Sequence, residues 1–127
     1  MSLQLSKQPV PPPDDLTRIL DAFEECPEIL GPIAKLFREA YVPDMRALRL
    51  ALEKEDCANF AFLAHKIKGS ASYFRADRVT DIAADLEERG ERGNLKGAHI
   101  LVDKLGKALD SVSLVLKQVE DLLADRQ

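Results

Sequence analysis

With 127 residues, 46 % of them hydrophobic, the chain is long enough for one compact domain and too short for two. Its net charge of −4, with both signs mixed, argues against a nucleic-acid-binding protein, which would carry a clustered basic surface. No apolar run approaches the ~20 residues that cross a bilayer, and no signal-peptide pattern is present, so we expect a cytoplasmic protein without direct membrane insertion.

The N-terminal region divides into an arm and a first helix. Residues 1–13 hold four of the seven prolines and show little periodicity, which indicates a flexible arm or a linker. We expect residues 14–126 to form a single helical domain. Asp14 or Asp15 is a suitable N-cap for a short first helix that ends at Cys26-Pro27. Its predicted inward positions are Leu16, Ile19, Leu20 and Phe23.

A second helical pattern continues to Lys54 and crosses Pro43. Because proline removes a backbone donor and crowds the preceding turn, we expect a kink or a brief break at that point. The predicted inward positions of this helix are Ile29, Ile33, Phe37, Tyr41, Met45, Leu48 and Leu52.

The stretch 60–74, FAFLAHKIKGSASYF, predicts a third helix with Asp56 as its N-cap. One stripe of this helix is suited to a core and consists of Phe60, Leu63, Ala64, Ile67, Ala71 and Phe74. A second strip, called the His65 strip below, is rotated about one residue away. It consists of Ala58, Ala61, Phe62, His65, Lys68, Gly69 and Ser72. An imidazole, an ammonium group, a glycine and a large apolar ring together are unusual for a purely solvated face.

Gly69 weakens the helix, since glycine costs about 0.5–1 kcal/mol relative to alanine there. With no side chain at i+4, the His65 ring is open to a bulky partner, and Lys68 at i+3 brings a mobile positive charge. A histidine that receives a phosphoryl group needs an open line of attack and a cation for the phosphoryl oxygens. The pattern therefore predicts His65 as a phosphoacceptor, with Lys68 and Gly69 around the phosphate. On its position alone, His65 would be a structural histidine at the edge of the core.

The residues AHKIKGSA, from Ala64 to Ala71, resemble the A-H-x-L-K-G-S-A signature of histidine-containing phosphotransfer (HPt) domains, the phosphocarriers of two-component phosphorelays. The similarity covers most of Leu36 to Leu95. It implies that His65 exchanges a phosphoryl group with receiver domains of response regulators or hybrid histidine kinases. It also implies that Mg²⁺ is bound by the receiver, and we expect no cofactor and no metal site on this chain.

The segment after the third helix departs from that family. Arg75 stands where many HPt domains have glycine, so either the turn differs or the helix continues. A fourth helix is expected from Asp77 or Arg78, with Val79, Ile82, Ala83 and Leu86 inward, and ended by Gly90 and Gly93. Asn94 is a suitable cap for a fifth helix. Its heptad-like inward positions are Ala98, Val102, Leu105, Leu109, Val112, Leu116, Val119 and Leu123.

These elements predict an all-α protein, an antiparallel four-helix bundle with a short additional N-terminal helix. The resemblance implies the same architecture. A coiled-coil dimer through the last helix is the alternative use of its regular stripe, whereas the bundle predicts a monomer.

Phe62 has two possible roles. It adjoins Leu63 and could extend the core, or it could form an exposed apolar patch with Ala58 and Ala61, where a receiver domain docks. Ser72 lies on the same strip and is a further candidate for contact with a partner.

The sequence contains no Gly-rich phosphate loop and no kinase signature, so we expect a phosphocarrier without ATP-dependent kinase activity. The rival hypothesis is a four-helix-bundle adaptor that binds or sequesters a signalling partner without becoming phosphorylated. A pure docking surface has no need of the Lys68-Gly69 pair, which favours the phosphocarrier.

Overall fold

The computed structural model describes residues 13–125, and describes side-chain surroundings for residues 17–121. Throughout this range the regular secondary structure is helical, as predicted for an all-α protein. The arm predicted at residues 1–13 lies outside the described residues, apart from Pro13. The helices are α1 (Pro13–Glu25), α2 (Pro27–Glu53), α3 (Cys57–Ser72), α4 (Asp77–Glu91) and α5 (Ala98–Asp125).

Helices α2 to α5 form the bundle. Helix α3 packs between α2 and α4, and α5 closes the bundle by contacting both α4 and α2. Short connections make consecutive helices antiparallel. Helix α1 packs on α2 and α5, as the short additional helix. The largest fully buried side chains are Phe60, Phe74, Ile19, Leu48, Leu86, Leu105, Leu109, Leu116, Val79, Val102, Val112 and Val115.

The regular stripe of α5 is used inside this bundle. Its predicted positions are buried from Ala98 to Val119, and Ala108 and Val115 are buried beside them. Leu123 lies outside the described side chains. Because these side chains contact the chain's own helices, the stripe supports the intramolecular bundle, not a coiled-coil dimer.

Two predicted inward positions of α1 and α2 are wrong. Leu20 is at the surface, and Ala22 is buried instead. Ile29 is 60 % exposed, and Leu30 takes the inward place. Each residue advances a helix by about 100°, so a stripe through Leu30 and Phe37 turns Ile29 out of the core. Leu16 is among the residues whose side chains are not described.

Helix α2 continues from Pro27 to Glu53 with Pro32 and Pro43 inside it, so the brief break expected at Pro43 is absent. After its C-cap, Lys54, the chain turns through Glu55 at φ 56°, and the amide of Asp56 donates to the Ala51 carbonyl at 2.9 Å. This contact closes the end of the helix and places Asp56 to begin α3.

Arg75 adopts φ 55°, the left-handed conformation for which glycine is the unstrained residue. Neither predicted alternative for this turn is therefore correct, because α3 ends at Ser72 and arginine takes the glycine conformation. The Arg75 guanidinium also donates to Glu25 of α1 at 2.6 Å. That contact connects the turn to the N-terminal helix.

The turn between α4 and α5 also differs from prediction. Gly93, at φ 69°, follows the end of α4, whereas Gly90 lies inside the helix. Asn94 does not cap α5, which begins at Ala98. The Asn94 side chain accepts instead from the backbone amide of Lys96 at 3.3 Å, a local turn that precedes the helix.

Candidate functional site

Helix α3 presents the His65 strip because its opposite side is held in the core. The Asp56 carboxylate accepts a hydrogen bond from the Asn59 amide at 3.2 Å, which confirms Asp56 as the N-cap. All six positions of the predicted core stripe, from Phe60 to Phe74, are buried. The rotation of the helix is thereby determined, and His65 lies on its outer side with 64 % of its side chain exposed.

One carboxylate joins the two polar side chains that the sequence singled out. Nδ1 of His65 lies 2.8 Å from Oε2 of Glu87, on α4. Nζ of Lys68 donates to Oε1 of the same carboxylate at 2.6 Å. Glu87 is largely shielded, with 17 % of its side chain exposed, whereas His65 opens to solvent. The imidazole is therefore held from behind while its other edge is accessible.

Gly90 explains how Glu87 comes so close to α3. A Cβ at Gly90 would lie 2.9 Å from three atoms: the Cβ and amide nitrogen of Ala61 and the carbonyl oxygen of Cys57. Only glycine allows α4 to approach the backbone of α3 at this distance. Glu87 is about one turn earlier on the same side of α4, where its carboxylate is within reach of His65.

The ionisation of Glu87 determines which ring nitrogen of His65 carries the hydrogen and which one carries the lone pair. The hydrogen bond from Lys68 lowers the pKa of Glu87, His65 lowers it further, and burial opposes both. An ionised carboxylate only accepts hydrogen bonds, so Nδ1 of His65 must be the donor. In the neutral ring, Nε2 then carries the lone pair. No hydrogen bond to Nε2 is formed by any side chain or backbone group that the structure describes.

Most of the predicted His65 strip is on the surface. Ala58 and Gly69 are exposed, and Phe62 is 65 % exposed, so Phe62 does not belong to the core. Nothing lies within 4 Å of a Cβ placed on Gly69, which leaves open space beside the histidine. The Ser72 hydroxyl is also exposed, but it donates to the Gly69 carbonyl at 2.7 Å.

Ala61 is the exception. It is buried against Gly90 in the contact between α3 and α4, which is incompatible with a place on the exposed apolar patch. The small side chain of Ala61 allows α3 and α4 to approach each other closely. The prediction treated it as a surface residue because its position on the α3 wheel lies only about 40° from that of His65.

The other polar residues of α3 contact α2 or their own helix. Nζ of Lys66 donates to Asp44 of α2 at 3.0 Å, so this lysine is directed away from Glu87. The Ser70 hydroxyl donates back to the Lys66 carbonyl at 3.2 Å. Lys66 and Lys68 thus form ion pairs on opposite sides of α3, and only Lys68 shares its carboxylate with the histidine.

An apolar groove extends the surface toward α2, and the sequence reasoning missed it. Leu36 is 65 % exposed and Tyr73 is 59 % exposed, and both line a groove between α2 and α3 together with Ile33 and Ala40. Ile29 continues it toward α1. No pattern within α2 alone marks Leu36 as a surface residue that meets Tyr73.

Glu87 is the other residue that sequence reasoning missed. Its position one residue after the inward Leu86 was the available signal, since such a residue lies at the edge of a packed face. Within residues 17–121 no group of three or more His, Cys, Asp or Glu side chains is arranged to hold a metal ion. No helix in the described part of the chain is long and apolar enough to span a membrane.

Comparisons with known proteins identify a matching family and a similar fold. The family model described as "Hpt domain" matches residues 20–125. The fold is similar to the crystal structure of histidine-containing phosphotransfer protein B (HptB) from Pseudomonas aeruginosa PAO1, with a TM-score of 0.74 and 23 % sequence identity. That similarity covers 89 % of this chain and 96 % of the other. A search of curated protein sequences found no significant match.

Proposed function

This chain belongs to the Hpt domain family, the phosphotransfer proteins of phosphorelays, and we propose that it accepts a phosphoryl group on Nε2 of His65 from a receiver-domain aspartate. A second receiver domain then takes the group from the histidine. The observation that carries this proposal is the exposed His65 ring, anchored through Nδ1 by Glu87 with Nε2 open.

The chemistry needs little from this chain beyond position and charge. The lone pair of Nε2 attacks the phosphorus of the aspartyl phosphate, and the bond from phosphorus to the aspartate oxygen breaks. The electron pair of that bond remains on the receiver's carboxylate. Lys68 is near enough to meet the phosphoryl oxygens, and Gly69 leaves room for the receiver's active-site loops.

The docking surface in this proposal is the exposed part of the His65 strip together with the groove beside it. Phe62, Leu36 and Tyr73 supply large apolar side chains at the surface. Ala58 and Ser72 are small and let a partner approach the helix closely. An apolar surface of this kind, with a charged network at its edge, suits a receiver domain that brings its own Mg²⁺. The chain acts as a monomeric, cytoplasmic carrier without ATP-dependent kinase activity.

The adaptor hypothesis uses the same surface without phosphorylation. Docking alone gives no role to an exposed imidazole that is held at one nitrogen by a largely shielded carboxylate. The phosphocarrier function gives this imidazole a role, and we prefer that function for this reason.

The test is incubation of the protein with a phosphorylated receiver domain and Mg²⁺, in parallel with His65→Gln. We expect an acid-labile, base-stable phosphoryl group on the wild type, followed by intact-protein mass, and none on the variant. His99→Gln is the matched control, because His99 is exposed at the start of α5, and it should be labelled like the wild type. Binding without label from several receivers would contradict the proposal and favour the adaptor.

A further inference from the structure

We propose that the N-terminal arm binds its own chain, with Leu5 in the apolar groove where α1, α2 and α3 meet, and that a receiver must displace it in order to dock. The occupant is the stretch 5–12, LSKQPVPP, which precedes α1 and lies outside the described residues. The competition with a receiver rests on the proposed function, whereas the contact between the arm and the groove does not.

The groove offers an apolar surface directly beside the end of α1. Ile29 and Tyr73 are 60 % and 59 % exposed, and they line the groove together with Ile33. Glu25, the last residue of α1, and Cys26, which follows it, line the same groove. An apolar side chain that arrives along α1 therefore meets exposed apolar surface as soon as the helix ends, and its contact with Ile29 and Tyr73 removes that surface from water.

The arm has the length that this contact requires. Its residues 8–12 contain three prolines, which favour the extended polyproline conformation because each restricts its own φ and disfavours helix at the preceding residue. At about 3.1 Å per residue, the eight steps from Pro13 back to Leu5 span about 25 Å. At about 1.5 Å per residue, α1 spans about 18 Å from Pro13 to Glu25. An arm that runs back along α1 thus carries Leu5 about 7 Å past the end of the helix, into the groove.

Charge favours a path along α1 over a path away from it. Lys7 is the only charged side chain in the stretch 5–12, and it lies six residues from Pro13. The extended arm places it about 19 Å along α1, level with the exposed Glu24 in the last turn. Glu28 follows at the start of α2, and neither acid forms an ion pair with a described side chain. An exposed ion pair adds little affinity, but it selects the direction of the arm.

The arm and a receiver use the same apolar side chains. Ile33 and Tyr73 line the groove at α1 and also the part of it that reaches Leu36, in the proposed docking surface. Because the arm is tethered, its effective concentration at the groove is in the millimolar range, so a contact through one leucine is enough to compete. A receiver that packs on Tyr73 must therefore displace Leu5.

The contact is tested in the full-length, unphosphorylated protein without a receiver. In NMR spectra, Leu5→Ser should shift the methyl resonances of Ile29 and the ring resonances of Tyr73, because the leucine no longer packs on them. Val10→Ser is the matched control, since it removes an apolar side chain of the same arm that lies too close to Pro13 to reach the groove. Resonances unchanged in Leu5→Ser, or shifted equally in Val10→Ser, would overturn the proposal.

The exposed thiol of Cys26 gives a second readout of the same contact. Under mild oxidation, Leu5→Cys should form a disulfide with Cys26 within one chain, and Lys7→Glu in the same protein should slow it, because the acidic end of α1 then repels the arm. Val10→Cys should form none, since three residues cannot cover the roughly 20 Å from Pro13 to Cys26. A disulfide that joins two chains would assign the groove to the arm of a second copy and overturn the proposal. A rate unaffected by Lys7→Glu would overturn the path along α1.

Labelling of His65 by a phosphorylated receiver at subsaturating concentration measures the competition. We expect Leu5→Ser to accelerate labelling about threefold, the factor that applies when the wild-type groove is free in a third of the molecules. Val10→Ser should match the wild type. An unchanged rate in Leu5→Ser would refute the competition. Failure of every receiver to label His65, with the resonance shifts of Leu5→Ser present, would refute the proposed function and leave the contact of the arm intact.

Discussion

The contacts of Glu87 with Lys68 and His65 make the stability of the folded protein depend on pH in the acidic range. Lys68 and His65 lower the pKa of Glu87 from its ordinary value of 4.5. A carboxyl group whose pKa is lower in the folded than in the unfolded state adds stability that is complete above the unfolded value. That stability is lost as the pH falls through the folded value. Glu87→Gln should therefore lower the urea midpoint at pH 7, and the difference from the wild type should shrink as the pH falls below 4.5. A constant difference from pH 7 to pH 3 would contradict this.

Glu55 and Arg75 are both non-glycine residues at positive φ. We expect substitution by glycine to change the stability of the protein differently at the two positions. We expect Glu55→Gly to stabilise the protein by about 0.5–1 kcal/mol, because the cost of the left-handed conformation exceeds the extra chain entropy of glycine. Arg75→Gly should stabilise the protein less than Glu55→Gly, since it also removes the ion pair with Glu25. Thermal unfolding followed by circular dichroism measures both. An equal gain at the two sites would show that the Glu25 pair contributes nothing.

At the scale of helices, the contact between α3 and α4 sets the geometry of the site. Gly90→Ala should destabilise the protein by about 1–3 kcal/mol, because the new methyl group would meet backbone atoms of α3 at 2.9 Å. It should also slow phosphoryl transfer, because the methyl group pushes α4 away from α3 and thereby moves Glu87 away from His65. Urea unfolding and transfer rates measure the two effects.

Gly69→Ala is the control for that prediction, since it makes the same substitution in a helix where a Cβ meets nothing within 4 Å. It should stabilise the protein by about 1 kcal/mol through helix propensity. It should nevertheless slow transfer from a receiver, because the methyl group occupies space beside the histidine. A gain in stability with unchanged transfer would show that Gly69 is not needed for approach.

At the scale of the whole molecule, the exposed apolar side chains on α2 and α3 predict where a receiver docks. Phe62→Ala should slow transfer from a receiver at subsaturating concentration by about tenfold, as expected for one apolar anchor of an interface. Its thermal midpoint should stay nearly unchanged, because the side chain is 65 % exposed. Ile100→Ala, which truncates an exposed apolar residue on α5, should affect neither. A large loss of stability in Phe62→Ala would return the residue to a packing role.

By itself, the sequence determined the number and type of the helices, the core side of α3 and the position of His65. These features depend on periodicity within one helix, and the buried stripe from Phe60 to Phe74 follows it closely. Local turn chemistry was less informative. Arg75 adopts a left-handed conformation that its side chain disfavours, and no residue pattern around it predicts this.

Only the tertiary structure decided what surrounds His65. Periodicity shows which face of a helix is apolar, but it does not give the register of that helix against its neighbour. The close approach at Gly90 sets this register between α3 and α4, and it has two consequences: Ala61 is buried and Glu87 reaches the imidazole. The groove at Leu36 and Tyr73 likewise exists only because α2 and α3 pack side by side.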